Sequence, residues 1–246
     1  CRRRHSRQQM SDEAQELSGR WKPIVPLFYW VVGKGIIGAA THTLAPLTIY
    51  GKERVPRHGG AVLAMNHFHA IDPACFGVAC PRRVVFAAKI EAHQQRGVGE
   101  LIRAHGAFSI RRGESDRDAL RRMRKTVRDN HLLGMFVEGT RQRSGVPGEA
   151  KPGTAMIAIN EGVPVVPAAL EGTQTWKLGE RQPVSVAFGE PMRFDEYPRN
   201  SRGYRQASAE IMEEIVRLWR FLKGVREHGH SVGSPPRRAH VPSRFE

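Results

Sequence analysis

Residues 61–73 read AVLAMNHFHAIDP, and this stretch decides both the fold class and the position of the candidate chemistry. The apolar run 61–65 has the length and composition of a strand, and Pro73 is favoured at the first position of a helix. The polar residues between them therefore lie in a connection from a strand to a helix. Because α/β sheets present reactive groups at the carboxyl ends of their strands, this connection is a candidate functional site.

The chain from Gly51 onward alternates short apolar runs with helical stretches, which is typical of α/β layer architectures. Ser115 followed by Asp118 resembles a capping box that opens a helix. Further strands are predicted at residues 84–88, 107–110, 133–137, 163–169 and 184–188, and further helices at residues 152–161 and 204–223. We expect a single α/β domain with a central, mixed or mostly parallel sheet flanked by helices.

Composition divides the chain into four segments. Residues 1–20 and 224–246 are polar and charged, so we expect a disordered lead and a disordered basic tail. Residues 51–223 are expected to form the globular domain. Residues 21–50 precede that domain and are expected to form helices that associate with a membrane.

The most apolar stretch of the chain, residues 23–49, is interrupted by Pro26, Lys34 and Pro46. A lysine at the centre of a spanning helix costs about 2.5–3.5 kcal/mol on insertion scales, which disfavours a transmembrane helix here. Trp21 and Lys22 are of the residue types expected at a headgroup boundary. We expect one or two helices that lie on the membrane, and an ordinary buried helix is the open alternative.

The formal net charge of +15 predicts an anionic partner, such as nucleic acid, acidic lipid, a phosphorylated substrate or an acidic carrier protein. Its densest basic stretch is the helix predicted at 117–128, where Leu120, Met123 and Val127 share one face and arginine and lysine cover the other. Nucleic-acid-binding surfaces interleave aromatic side chains with arginine, and this helix contains none. We therefore expect anionic lipid rather than nucleic acid as the partner of this surface.

The three cysteines, Cys1, Cys75 and Cys80, form no CxxC pair. A disulfide framework or a thiolate metal site is implausible at this density. The cysteine usage therefore favours a reducing, cytoplasmic setting.

His67 and Asp72 are the residues of the opening stretch best suited to chemistry. A histidine base needs an acceptor on its second ring nitrogen, usually a carboxylate, and a turn can bring residues five apart within hydrogen-bond reach. Alternatively, Asp72 caps the helix that begins at Pro73, and one carboxylate oxygen can cap while the other faces His67. A metal site formed by His67, His69 and Asp72 is a third interpretation. Because no further ligands stand nearby at recognisable spacing, we expect no metal and no other cofactor.

Three further blocks follow or form predicted strands. They read GAFSIRR at 106–112, FVEGTR at 136–141 and VPVVP at 163–167. Together with the His67 block, their order and separation resemble the family of 1-acyl-glycerol-3-phosphate acyltransferases and the wider lysophospholipid and glycerolipid acyltransferases. The resemblance runs from about Gly51 to Met192 and implies a glycerolipid acyltransferase-like domain with an amino-terminal membrane-associating helical element.

The resemblance implies the following reaction. An acyl group passes from acyl-CoA or acyl-carrier protein to the free hydroxyl of a lysophospholipid, most simply from the donor to 1-acyl-glycerol-3-phosphate to give phosphatidic acid. His67 would be the general base and Asp72 its orienting carboxylate. Since neither Cys75 nor Cys80 lies in a motif, direct transfer without an acyl-enzyme is the simpler mechanism. Backbone amides around His67 are the expected donors to the oxyanion.

The acceptor-binding residues implied by the resemblance surround the glycerol phosphate. They are Arg112, Glu138, Gly139, Thr140 and Arg141, with Asn66 completing the His67 block and Lys151 as a secondary phosphate contact. Guanidinium groups bind phosphate in a bidentate manner, glycine permits close backbone approach, and a threonine donates a hydroxyl. Glu138 cannot favour a phosphate directly, so we expect it to orient Arg112 or Arg141 or to accept a glycerol hydroxyl.

The long loop between residues 139 and 154 contains several glycines and basic residues, which suits either a mobile flap over an anionic group or an unconstrained surface excursion. The expected location is the cytoplasmic face of the cell membrane, with peripheral or monotopic attachment to its anionic surface. The alternative to catalysis is a basic protein that only binds nucleic acid or anionic membrane. A silent adaptor of the same fold would require loss of His67 or Asp72, and both are present.

Overall fold

The structure is a computed structural model that describes residues 39, 43, 45–89, 108–110, 117–177, 179–229 and 235. The predicted disordered lead, most of the membrane-associating segment, most of the basic tail and the candidate phosphate ligand Arg112 lie outside the described residues. Among the described helices, none is both long and apolar enough to cross a membrane.

The described residues form seven strands and four α-helices. In chain order these are β1 (Leu47–Tyr50), β2 (Ala61–Met65), α1 (Asp72–Ala79), β3 (Val84–Lys89), β4 (Phe108–Ile110), α2 (Arg117–Arg128), β5 (Leu132–Phe136), α3 (Gly153–Glu161), β6 (Val165–Glu171), β7 (Val184–Phe188) and α4 (Ser201–His228). A short 3-10 turn at Lys52–Arg54 follows β1.

All seven strands belong to one mixed sheet with the order β1-β7-β6-β2-β5-β3-β4. The five strands from β6 to β4 run parallel to their neighbours, β7 is antiparallel to β6, and β1 is parallel to β7. The structure therefore confirms the expected α/β fold with a mixed, mostly parallel sheet.

Strand β2 occupies the centre of the sheet, and all five of its residues are completely buried. It pairs with β5 on one side and β6 on the other. Because these three strands are parallel, the segments that follow Met65, Phe136 and Glu171 meet at one edge of the sheet. This arrangement places the first and third sequence blocks side by side.

Helix α4 packs against β6 and β7 and closes one face of the sheet. The Asn200 side chain accepts hydrogen bonds from the amides of Arg202 and Gly203 and so caps its first turn. The predicted inward residues Ile211, Ile215, Leu218 and Leu222 are all buried. The helix continues past its predicted end at Lys223 to His228, so the first residues of the expected tail are helical.

Strand β1 departs from the prediction that residues 21–50 are helical. Thr48, Ile49 and Tyr50 have side chains that favour strands, and β1 pairs with β7 in parallel. Gly51 then takes a left-handed conformation with φ of 69° and ends the strand. Leu47, Ile49 and Tyr50 are partly buried and pack against the core.

Helix α2 has the predicted amphipathic pattern, but many of its basic side chains are paired with acidic ones. Val127 is buried, and Leu120 and Met123 pack against the core. Several of its cations are neutralised by pairing: Arg124 and Arg128 with Glu161, Arg121 with Asp118, and Lys125 with Asp129. The free positive charge of this helix is therefore smaller than its sequence suggests.

Candidate active site

His67 and Asp72 lie within hydrogen-bond distance at the carboxyl end of β2. The distance from His67 Nδ1 to Asp72 Oδ2 is 2.8 Å, the Asp72 side chain is completely buried, and the His67 side chain is 17% exposed. A carboxylate only accepts hydrogen bonds, so Nδ1 is the donor and Nε2 carries the free lone pair. The dyad predicted from the sequence is therefore assembled, with its base accessible and its orienting group shielded.

The Asp72 carboxylate is held by three donors besides His67. Oδ2 accepts from the amides of Phe68 at 2.6 Å and His69 at 2.8 Å, and Oδ1 accepts from the Thr173 hydroxyl at 2.7 Å. A buried carboxylate needs such partners because desolvation penalises its charge. Asp72 is thus fixed within a small turn, residues 66–72, which is called the His67 turn below.

Asp72 does not cap helix α1, contrary to one of the two roles expected for it. The helix begins at Asp72 itself, Ile71 is its N-cap, and no side chain caps its first turn. The carboxylate instead bonds backward to the turn that precedes the helix. Pro73 occupies the first turn of the helix, where its missing N–H leaves no unpaired donor.

Phe136, the last residue of β5, stacks on the His67 imidazole. The ring centroids are 4.0 Å apart and the planes differ by 21°. Phe86 in turn stacks against Phe136 at 6.1 Å. One face of the imidazole is therefore covered, and the ring is held in a single plane. Phe136 begins the third sequence block, and no role was predicted for it.

Glu138 joins the His67 turn to the loop that follows β5. Its Oε2 accepts from the His67 amide and its Oε1 from the Gly148 amide, both at 2.8 Å, and the residue is 2% exposed. Burial raises the pKa of Glu138 to about 7, although the hydrogen bonds from the Gly148 and His67 amides act to lower it. Each Glu138 oxygen thus binds one backbone amide, and the expectation that Glu138 also orients Arg141 or accepts a substrate hydroxyl stays a prediction. Arg112, its other expected partner, lies outside the described residues.

Asn66 holds β2 to β6 and does not face the open site. Its Nδ2 donates to the Leu170 carbonyl at 3.0 Å, and its Oδ1 accepts from the Leu170 amide at 2.9 Å. The residue is completely buried. These two bonds fix the start of the His67 turn, and the predicted contact of Asn66 with substrate stays a prediction.

Residues 139–150, called the Arg141 loop below, carry the exposed half of the predicted acceptor site. Gly139, Thr140 and Arg141 are exposed, and within the described residues no side-chain hydrogen bond or ion pair engages Thr140 or Arg141. The exposed Lys151 follows the loop, and its side chain lies over Gly139. A Cβ atom added to Gly139 would lie 3.3 Å from Nζ of Lys151. Gly139 itself has φ of 68°, a conformation that favours glycine. The structure thus groups Gly139, Thr140, Arg141 and Lys151.

The Arg141 loop is attached to the rest of the site at several points. The Gln142 amide donates to the His67 carbonyl at 2.7 Å, and the Lys151 amide donates to the Val137 carbonyl at 2.8 Å. Gly148 is held by Glu138, as described above. These bonds contradict the reading of an unconstrained surface excursion and hold the backbone of Gln142 against that of His67.

The backbone amides around His67 are not available to an oxyanion, contrary to expectation. The His67 amide donates to Glu138, and the Phe68 and His69 amides donate to Asp72. Each donor is therefore already satisfied. The amides of residues 67–69 therefore hold the dyad in place.

The cysteines of the described chain are poorly suited to act as nucleophiles. Cys75 and Cys80 are both buried. Burial raises the pKa of the Cys75 thiol to about 12, with Asp72 adding to the effect, so the thiol is protonated at neutral pH. A Gly-x-Ser-x-Gly string does occur at 229–233, but it follows the end of α4 instead of joining a strand to a helix, as a serine elbow does.

His69, the other histidine of the turn, packs beside Trp176 with ring centroids 5.6 Å apart. Among the described residues, no group of three histidine, cysteine or acidic side chains is arranged to hold a metal ion. Thr173 is the site residue that the sequence analysis missed. It is the second residue after the end of β6, at the same edge of the sheet that drew attention to the residues after β2.

Comparison with known proteins agrees with this geometry. The family model described as Acyltransferase matches residues 46–171, just over half of the chain, and the chain belongs to this family. The dyad and the Arg141 loop both lie within the matched residues. The chain is therefore an acyltransferase, as the four sequence blocks implied.

Individual proteins of known name are similar to this chain. The chain is 30% identical over 146 residues to the 1-acyl-sn-glycerol-3-phosphate acyltransferase of Bacillus subtilis, covering 58% of this chain and 72% of that protein. It is 30% identical over 161 residues to the protein of the same name from Streptococcus pneumoniae, covering 64% of this chain and 60% of that one. The crystal structure of the 1-acyl-sn-glycerophosphate (LPA) acyltransferase PlsC from Thermotoga maritima matches with a TM-score of 0.66 at 21% identity, over 81% of this chain and 80% of that chain. This last likeness shows that the fold is shared.

Proposed function

We propose that this protein acylates the free hydroxyl of a lysophospholipid, with 1-acyl-glycerol-3-phosphate as the preferred acceptor and phosphatidic acid as the product. The acyl donor is a thioester of coenzyme A or of acyl-carrier protein. The observation that carries this proposal is the dyad, in which the shielded Asp72 binds Nδ1 of a His67 side chain that is itself 17% exposed. The names of the relatives supply the acceptor, and the basic side chains beside the dyad agree with a phosphate.

The proposed reaction is a direct transfer. His67 Nε2 takes the proton of the acceptor hydroxyl while that oxygen bonds to the thioester carbonyl carbon. The tetrahedral intermediate then collapses with cleavage of the C–S bond, and the imidazolium returns its proton to the departing thiolate. The products are the acylated lipid and a free thiol. Asp72 stabilises the imidazolium and keeps the ring in the reactive tautomer.

The acceptor phosphate is proposed to bind at the Arg141 loop. Arg141 is exposed and makes no ion pair within the described residues, so its guanidinium can take a phosphate without first releasing a protein partner. Thr140 offers a hydroxyl donor, Gly139 offers close backbone approach, and Lys151 adds a second cation. Arg112 is proposed to complete this group on the basis of its position in the second sequence block.

The protein is proposed to work at the cytoplasmic face of the membrane, where both its lipid acceptor and its product reside. The net charge of +15 supports attraction to an anionic surface. The apolar residues ahead of β1 support attachment, either peripheral or monotopic. The same charge agrees with an acidic acyl-carrier protein as donor.

The test is acyl transfer by purified protein in detergent, from acyl-CoA and acyl-carrier protein to lysophosphatidate and other lysolipids. We expect thiol release with formation of acylated lipid, highest with lysophosphatidate. His67→Ala should lower kcat by about 10³-fold or more, since general-base catalysis contributes about 10²–10⁴-fold. His58→Ala is the matched control, because His58 is exposed at the opposite end of β2.

Inactivity of the native protein with every donor and lysolipid would overturn the proposal. A His67→Ala variant with undiminished kcat would overturn the mechanism even if transfer is observed. Binding of nucleic acid or vesicles without turnover would instead support the non-catalytic alternative.

A further inference from the structure

Thr173 is completely buried beneath the dyad, 101 positions along the chain from Asp72. Its hydroxyl donates to Asp72 Oδ1 at 2.7 Å. Within the described residues, Oδ1 has this hydroxyl as its only hydrogen-bond partner, whereas Oδ2 accepts from His67 and two amides. Thr173 follows β6 and lies beyond residue 171, where the match to the family model ends.

The two carboxylate oxygens therefore have different tasks. Oδ2 faces His67, and its position sets the direction of the imidazole. Oδ1 points toward β6, where the Thr173 hydroxyl holds it. Without that donor, a buried carboxylate oxygen would be unpaired, and the carboxylate would gain by rotating toward any other donor. Such a rotation would move Oδ2 away from His67 Nδ1.

Thr173 is itself well fixed. Gly172, with φ of 106°, turns the chain sharply at the end of β6. The preceding Leu170 is clamped by Asn66 at both its amide and its carbonyl. The Thr173 carbonyl accepts from the Trp176 amide at 3.2 Å. A β-branched side chain on a fixed backbone has few rotamers, so the hydroxyl direction is well defined.

We propose that Thr173 is a positioning residue for the acyl transfer, acting through Asp72 on His67. The hydroxyl keeps the Asp72 carboxylate in the one orientation that supports the reactive tautomer of His67. Thr173 does not contact the substrate. This inference rests on the proposed function of the dyad, and it extends the catalytic unit from two residues to three.

The experiment compares Thr173→Val, which removes the hydroxyl and keeps the shape, with Thr173→Ser, which keeps the hydroxyl. We expect Thr173→Val to lower kcat by about 10–100-fold, the range seen when a group that orients a metal-binding histidine is removed. Thr173→Ser should stay within about threefold of the native kcat, because the donor remains. The KM values of donor and acceptor should change little in both variants. Thr175→Val is the matched control, since the hydroxyl of the exposed Thr175 bonds Gln182 instead of the dyad.

Circular dichroism and thermal unfolding establish that each variant is folded before its kcat is compared. Native kcat in folded Thr173→Val would overturn the inference, and so would equal losses in the Val and Ser variants. If Thr173→Val does not fold, Thr173→Cys replaces it, because a thiol is a weak donor of similar size. Equal kcat in the Cys and Ser variants would then overturn it.

Failure of this inference is separable from failure of the proposed function. If the native protein transfers acyl groups and His67→Ala does not, the dyad mechanism holds whatever Thr173→Val does. If the native protein is inactive on every acceptor, the proposed function is wrong, and the role inferred for Thr173 is wrong as well.

Discussion

The His67 turn and the Arg141 loop are neighbours that differ in the burial and hydrogen bonding of their polar groups. In the turn, Asp72 is buried, its carboxylate has four donors, and the amides of residues 67–69 are all paired. In the loop, Arg141 is exposed and, within the described residues, has no side-chain partner. The protein thus organises its reacting groups before substrate arrives, whereas it leaves its cation ready for an anion. Preorganised polar groups are the usual source of catalytic stabilisation.

Glu138 and Gln142 connect these two regions. Glu138 bonds the His67 amide and the Gly148 amide, and the Gln142 amide bonds the His67 carbonyl. If the proposed function holds, these bonds fix the distance between a phosphate bound at the Arg141 loop and His67. The comparison predicts that changes in the turn lower kcat, that changes in the loop raise KM, and that Glu138 affects both regions.

Asp72→Asn should give the largest effect in the turn. The amide group would place a donor where His67, Phe68 or Thr173 already donates, so the imidazole loses its fixed tautomer. We expect kcat to fall by about 10²–10⁴-fold with little change in KM, as for orienting carboxylates of histidine bases. Steady-state kinetics check this, with the exposed Asp118→Asn as control. A loss confined to KM would contradict the separation of the two regions.

Glu138→Gln should change how stability depends on pH. The folded-state pKa of Glu138 is raised from 4.5 to about 7, so the folded protein holds a proton that the unfolded chain releases. This contribution to stability is fully present below pH 4.5 and is lost as the pH rises through 7. Relative to Glu138→Gln, the native protein should lose roughly 2–3 kcal/mol of unfolding free energy between pH 5 and 8.

Urea unfolding of both proteins at pH 5, 6.5 and 8 measures this difference. Subtracting the two curves removes the titration of groups that the proteins share. A difference that is independent of pH, or that grows in the native protein's favour at high pH, would contradict a buried Glu138 with a raised pKa.

Arg141→Ala should raise the KM for lysophosphatidate while leaving kcat within about threefold. A charged hydrogen bond contributes about 1.5–3 kcal/mol, so kcat/KM should fall roughly 10–100-fold. Arg141→Lys should recover only part of this loss, since an ammonium cannot bind phosphate in a bidentate manner. The control is Arg199→Ala. Arg199 is exposed and lies seven residues after Met192, which pairs with Val165 at the other end of β6 from the site. If kcat falls and KM does not, Arg141 belongs to the reacting centre.

Lys151→Met should give the smallest effect, because the apolar stem that packs over Gly139 is kept and only an exposed charge is lost. We expect the KM for lysophosphatidate to rise by about threefold, in line with the weak energies of exposed charge pairs. Lys52→Met, at an exposed lysine beyond β1, serves as control. A rise as large as that of Arg141→Ala would make Lys151 a principal phosphate ligand.

Local patterns predicted most of the sheet. Strands β2 and β7 have the predicted bounds, and the other strands of the predicted domain differ by one or two residues at their ends. Strand β1 was missed because an apolar run that ends in Leu47–Tyr50 is equally consistent with a membrane helix until its partner β7 is known. An apolar pattern in the sequence indicates that a segment is buried, but it does not distinguish burial in the protein core from burial in a membrane.

The site residues divide in the same way. His67 and Asp72 were predicted because residues five apart in a turn meet without help from the rest of the fold. Glu138 and Asn66 were assigned to substrate, yet the structure commits Glu138 to the amides of His67 and Gly148 and Asn66 to Leu170. These partners are distant in sequence, so no local pattern indicates them.

The sequence by itself determined the fold class, the strand that carries the base, the dyad and the cations of the loop, because each depends on short-range order along the chain. Only the tertiary structure decided which polar groups remain free. It uses the amides of the His67 turn to hold Asp72 and Glu138, and it brings Thr173 from β6 to the far side of Asp72. The reason is physical: a buried polar group must find a partner, and the parallel pairing of β5, β2 and β6 determines which partners are within reach.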